Sequence, residues 1–193
     1  MKRDNLIKNS LNDKILIMDG AMGTMIQNEK LEEKDFRGKK FSDSKINLSG
    51  NNDILNITKP DLIYEIHTKY LESGADIIET NTFNSTGTSQ KDYDCQAYCF
   101  DLNYEGAIIA KKAVEDFKKK SPKEQKFVAG VLGPTNRTCS MSPDVNDPGF
   151  RNIKFDDLFE DYKVCVKAFL KANVDLILVE TVFDTLNAKA ALM

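Results

Sequence analysis

Four short apolar runs divide the chain: Ile15 to Met18, Ile77 to Ile78 with their flanks, Phe127 to Leu132, and Leu176 to Val179. Each is rich in Ile, Val or Leu, and none alternates apolar with polar positions. That pattern predicts strands buried on both faces, as in a parallel sheet. Each run ends in a small polar cluster: Asp19-Gly20, Glu79-Thr80-Asn81, Gly133-Pro134-Thr135-Asn136 and Glu180-Thr181.

Between the runs the apolar period lengthens to that of helices. Thr58 is placed as the cap of a helix with Pro60 and Asp61 in its first turn, Leu62, Ile66 and Tyr70 at four-residue spacing, and Gly74 as its stop. A second helix is predicted from Tyr104 to Lys119, with Ala107, Ala110, Val114 and Phe117 on one face. A third opens near Asp156 and Asp157, acids suited to the positive end of a helix dipole, and stops at Asn173. Its apolar stripe is Leu158, Tyr162, Cys165 and Phe169. A last helix opens near Thr185 and reaches Met193.

Strand followed by helix, four times over, implies parallel strands joined by right-handed crossovers. An open doubly wound sheet and a closed eight-stranded barrel both fit that order. The last helix has no strand after it and ends within its apolar face, which favours a truncated larger domain over a complete four-unit sheet. The expected fold class is therefore α/β, the first four β/α units of a (β/α)8 TIM-type barrel, occupying residues 1–193. The segment Leu31 to Lys59, dense in Lys, Glu, Asp, Ser and Asn, is expected to be a long surface loop that shapes a binding site.

Composition narrows the function classes. A chain of 193 residues is long enough to bury one core, and a formal net charge of -3 gives no pull toward nucleic acid or anionic lipid. The lysines at 111, 112 and 118–120 read as a solvated helix face. No apolar run approaches the roughly 20 residues needed to span a bilayer. Met1 to Ser10 is polar and lacks the apolar stretch of a secretory signal. With four cysteines and no disulfide pattern, a cytoplasmic, reducing location is expected.

In parallel β/α folds, ligands sit beyond the carboxyl ends of the strands, where Asp19, Glu79 and Glu180 fall. Each acid alone is explained as a local cap of the turn that follows it. Three at one rim point to a cation, either an α-ammonium group or a hard divalent metal. Arg137 is the one basic residue in these clusters, which disfavours a phosphorylated substrate. The turn Gly20-Ala21-Met22-Gly23-Thr24 offers backbone N–H groups to an anion, although two glycines three apart also make a plain tight turn. Together an N–H nest and a nearby acid suit the two charged ends of an amino acid. His67, the single histidine, falls mid-helix, so no histidine triad is available. Cys95 and Cys99 are spaced to share a helix face, and Cys165 lies in an apolar stripe. Cys139, in the loop after the third run, is the one thiol placed to reach a pocket, and nothing nearby marks it as activated.

Several of these stretches resemble one family. Ile17-Met18-Asp19-Gly20-Ala21-Met22-Gly23-Thr24-Met25-Ile26-Gln27 is similar to the opening of the homocysteine S-methyltransferase barrel, and Gly74 to Phe83 to its second strand. Gly133-Pro134-Thr135-Asn136 and Val179-Glu180-Thr181 resemble its third and fourth. Within the family, Leu48-Ser49-Gly50-Asn51-Asn52-Asp53 and the segment Ser142 to Arg151 resemble the cobalamin-dependent methionine synthases. The resemblance implies homocysteine bound at the C-terminal face of the barrel. Asp19, Gly20, Ala21 and Thr24 would hold its amino-acid end, Glu180 would pair with its amino group, and Glu79, Asn81 and Asn136 are further candidates. It also implies a thiol activated on zinc by three cysteines of later strands, and a methyl group taken from methylcobalamin that 5-methyltetrahydrofolate recharges through further domains. Coordination to zinc makes a thiolate at neutral pH, which is what this chemistry needs. No residue here matches the zinc cysteines, so no metal site is expected in this chain and the isolated chain is expected to be inactive. Betaine- or S-methylmethionine-dependent methyltransferases are the near alternatives. Of other classes, a magnesium-dependent barrel lyase or hydrolase and an inactive half-barrel that pairs through its edge strands remain open.

Overall fold

A computed structural model describes residues 3–193 as a layer of parallel strands with helices packed against it. In chain order the elements are α1 (Arg3–Asp13), α2 (Met22–Asn28), α3 (Glu33–Arg37), α4 (Leu55–Thr58), α5 (Pro60–Glu72), β1 (Ile77–Glu79), α6 (Gly87–Gln90), α7 (Cys99–Lys120), β2 (Phe127–Leu132), α8 (Phe155–Ala172), β3 (Leu176–Val179) and α9 (Thr185–Leu192). The sheet order is β1-β2-β3, all parallel, with Ile78 opposite Val128 and Gly130 opposite Ile177.

The first expected strand, Ile15 to Met18, is reduced to an edge segment. Met18 makes a single parallel bridge to Ile77, and the amides of Asp76 and Ile77 both converge on the carbonyl of Ile17. Burial on both faces holds along all of β2 but fails at the flanks, where Ile15 is 83% and Ile17 56% exposed and β3 is half-buried. A central strand has a neighbour on each side and helices above it; an edge segment does not, although their side chains look alike in sequence.

The helices follow the apolar periods with some shifts. Pro60 opens α5, and Gly74, at φ +105°, turns the chain back after it. Thr58 is not its cap: it ends α4, and its hydroxyl donates to the carbonyl of Ile54. The α7 helix begins at Cys99, earlier than expected, and Asn173 closes α8 in the left-handed conformation. Cys95 precedes α7, so it shares no helix face with Cys99. Lys111 is no solvated residue: it pairs with Asp175 at 3.3 Å. The polar N-terminal stretch supplies α1, whose Leu6 and Ile7 pack against Ile77, Phe127 and Ala129. Among the described residues no helix is long and apolar enough to cross a membrane.

The segment from Leu31 to Lys59 is a folded part of the core, not a surface loop. Phe36, Phe41, Leu48, Ile54 and Leu55 are buried with Ile63 and Ile66 of α5 and Leu102 of α7. Each fully buried Leu or Ile contributes roughly 1.5–3 kcal/mol, which outweighs the polar composition around it. Glu33 tethers the far end by accepting from the amides of Leu48 and Ser49. The polar count hid a sparse but sufficient set of anchors.

His67 is fully buried on α5, and neither ring nitrogen has a hydrogen-bond partner among the described residues. Burial pushes its pKa down from 6.5 to about 4. The folded state keeps the ring neutral while the unfolded chain protonates it, so stability present above pH 6.5 is lost as the pH falls toward 4. That loss is about 3 kcal/mol. His67→Leu is expected to be neutral or stabilising at pH 7 and to flatten the acid limb of a urea-unfolding series. An unchanged acid limb in the variant would remove His67 as the cause.

Candidate functional site

The carboxyl ends of the strands open onto a cavity of about 400 Å³. Four segments converge there: Asp19 to Gly23, Asn52 and Asp53, Glu79 to Asn84, and Glu180, with Val131 as the floor from β2. Parallel pairing makes this convergence, because each strand delivers its C-terminal tip to the same edge.

Asp19, Glu79 and Glu180 all line the cavity. One carboxylate oxygen of Asp19 accepts from the amide of Glu79 at 3.0 Å, which ties the edge segment to β1. The other oxygen, Oδ1, is buried without a partner among the described residues. Burial pushes Asp19 up to about 7, with a contribution from the charge of Glu180 and opposition from the Glu79 amide. Glu79 is pushed up to about 7 as well, by burial and then by the charges of Glu180 and Asp19. Both carboxyls are thus held well above the usual carboxylate range by burial and by the charge of Glu180.

Gly20 and Ala21 line the cavity, and no side chain caps the start of α2 beside them. Gly20 lies flat on Tyr70 of α5, where an added Cβ would come within 3.3 Å of the ring. Asn81 lines the cavity too, donating to the carbonyl of Asn52 and to Asn56 Oδ1.

Two expected residues are placed elsewhere. Thr24 is exposed on α2 and is absent from the lining, because one helical turn carries it away from the rim. Asn136 is exposed, and its amide donates to Asp92. Arg137 beside it donates to the carbonyl of Thr88 and faces Asp92, so it brings no positive charge to the cavity.

Asn52, Asp53, Phe83 and Asn84 were not singled out as site residues from the sequence, though they line the cavity. Asp53 is buried, accepts from the amide of Asn84 and the hydroxyl of Ser85, and is pushed by burial up to about 6. The signal for Asn52 and Asp53 lay in the Leu48 to Asp53 stretch, and that for Phe83 in the Gly74 to Phe83 stretch. Gln90 and Asn51 exchange side-chain hydrogen bonds of 2.8 and 3.1 Å, and that pair locks the segment under the rim.

The cysteines stand apart from the site. Cys99 and Cys165 face each other at 3.7 Å between α7 and α8, Cys139 is buried beside the same helix layer, and Cys95 belongs to another cluster. None lines the cavity, and among the described residues no three His, Cys, Asp or Glu side chains are grouped to hold a metal. Among the described residues the donor set thus fits neither a thiolate zinc site nor a three-carboxylate magnesium site.

A parallel α/β fold with three acids gathered around a cavity at its strand tips is the class of domain these features define. The homocysteine S-methyltransferase family pattern matches residues 16–193, and the chain belongs to that family. Among solved structures it is similar to the homocysteine methyltransferase MmuM from Escherichia coli. The oxidized form matches with TM-score 0.70 and 22% identity over 93% of this chain and 57% of that one. The metallated form matches with TM-score 0.69 and 23% identity over 94% and 59%. The likeness extends to the fold. The chain spans somewhat over half the length of these relatives.

Proposed function

We propose that this chain forms the amino-acid-binding part of a barrel that methylates the thiol of homocysteine. The observation that supports it is the buried Oδ1 of Asp19, without a partner among the described residues, in a cavity shared with Glu79 and Glu180. A charged hydrogen bond from an ammonium group would satisfy that oxygen and offset the repulsion among the three acids. The uncapped N–H groups at the start of α2 would face the substrate carboxylate, with Gly20 and Ala21 letting the ligand approach the backbone. In this arrangement the residues present bind and orient the amino acid, and the reacting sulfur projects toward the open side of the cavity. Thiol activation falls to ligands that this chain does not group, so the chain alone is proposed to lack methyl-transfer activity.

The methyl donor is proposed to be methylcobalamin recharged from 5-methyltetrahydrofolate. The support is the similarity of Leu48 to Asp53 and Ser142 to Arg151 to cobalamin-dependent methionine synthases. The first of these stretches carries Asn52 and Asp53 into the cavity wall.

Calorimetry with homocysteine and with 4-mercaptobutyrate, which lacks the amino group, tests the cradle. Homocysteine is expected to bind and 4-mercaptobutyrate to bind at least about tenfold more weakly, the equivalent of about 1.4 kcal/mol. Equal affinities, or no binding of homocysteine, would end the ammonium reading.

A further inference from the structure

Four non-glycine residues among those described adopt a positive φ: Lys30, Asp94, Asn173 and Thr181. Three of them are explained by what they end. Asn173 closes α8, Asp94 closes a short 3-10 turn, and Lys30 follows the last turn of α2. Left-handed residues commonly terminate helices, and Asn and Asp tolerate the conformation. Thr181, at φ +56°, ends a strand instead, and it is the only β-branched residue of the four. A branched Cβ crowds the backbone most in this region, so the conformation persists only where its surroundings impose it.

Those surroundings are pinned on both sides. The amide of Glu180 is held by the carbonyl of Leu132, which keeps the strand tip in the ladder. Three residues past Thr181, the buried Asp184 caps α9 by accepting from the amides of Leu186 and Asn187, and it also accepts from the amide of Ser140. Thr181 itself is exposed, so no packing of its own side chain explains the turn. Its hydroxyl lies 3.4 Å from Glu180 Oε2.

We infer that Thr181 is a positioning residue: its left-handed turn breaks the strand immediately after Glu180 and holds that carboxylate against Asp19 and Glu79. The inference rests on the proposed cradle, since it assigns the strain to the geometry of one of its acids. The groups facing this cluster are Asp19 from the edge segment, Glu79 from β1, Asp53 from the segment before α4, and Tyr70 from α5, whose hydroxyl is raised by burial and by Asp19.

Carboxyl NMR titration of the ligand-free protein reads the geometry directly. Glu79 and Asp19 are expected to titrate near 7 in the wild type. In Glu180→Gln both midpoints should fall. Thr181→Pro, whose ring fixes φ at about −65° and so forbids the left-handed turn, should reproduce at least about half of that fall. Thr181→Asn and Thr181→Gly, which both accept the left-handed turn, should keep wild-type midpoints. The unfolding temperature of Thr181→Gly should be equal to or above that of the wild type, while homocysteine affinity drops about fivefold in Thr181→Pro. Wild-type midpoints in a folded Thr181→Pro, or an unfolding temperature of Thr181→Gly below that of the wild type, would overturn the inference even if homocysteine binds the wild type. Shifted midpoints in a protein that does not bind homocysteine would leave the positioning role standing and remove the substrate reading.

Discussion

Gly133→Ala is expected to cost about 3 kcal/mol or more, and to scatter the cavity wall with it. A Cβ at this position would lie 2.1 Å from the carbonyl oxygen of Phe83 and 2.9 Å from its carbonyl carbon. Both atoms are backbone, so no side-chain rotation relieves the clash. The loop after β1 must therefore lift off the exit of β2, and that loop carries Phe83 and Asn84 in the cavity wall. The same shift would disturb the hydrogen bond from the hydroxyl of Tyr162 to the carbonyl of Gly133, 2.8 Å long and buried against α8. Urea unfolding of the purified variant measures the cost. A change within about 0.5 kcal/mol, the scale of an ordinary surface substitution, would show that the close approach is not a real constraint.

Neutralising Asp19 should have the larger effect on ligand binding. Truncating one partner of a buried charged hydrogen bond costs about 2–5 kcal/mol, so Asp19→Asn is expected to weaken homocysteine binding about thirtyfold or more. The pH dependence gives an independent check. Asp19 and Glu79 ordinarily titrate at 3.8 and 4.5 but hold their protons to about 7 in the folded protein. Between those limits the folded state binds more protons than the unfolded chain, so this pair makes stability fall as the pH rises. A bound ammonium group favours the ionised acids and reverses the trend. Ligand-free protein should thus lose stability relative to Asp19→Asn between pH 5 and 8, and homocysteine should bind more tightly as the pH rises through 7, with release of protons to the buffer. Binding that weakens over that interval, or that releases no protons, would contradict the assignment. The buried His67 acts in the opposite sense on the acid side, so the difference between variant and wild type isolates the rim.

Much of the architecture was legible along the chain because periodicity is a local property. The Val- and Leu-rich run at Phe127 to Leu132 became the fully buried central strand, and the stripe of Leu158, Tyr162, Cys165 and Phe169 became the buried face of α8. The stops at Gly74 and Asn173 followed from backbone preference alone. The three acids at the strand tips were also readable, since in a parallel sheet the end of every run falls at the same edge.

Position within the sheet was not legible. Ile15 to Met18 has the composition of a buried strand but is an edge segment, because burial depends on which neighbours exist in space. The segment Leu31 to Lys59 looked like loop because its anchors, Phe36, Leu48 and Leu55, have no regular spacing; only the arrival of α5 and α7 makes them a core. Thr24 follows the lining residue Gly23 in sequence, yet a turn of helix carries it away, and Asn136 is drawn off by a hydrogen bond to Asp92. The sequence by itself determined the elements and the chemistry at their ends, because those rest on contacts a few residues apart. Which ends face one another, which acid loses its water and which threonine is strained were decided by packing between residues as far apart as Asp19 and Glu180, and no local pattern encodes that.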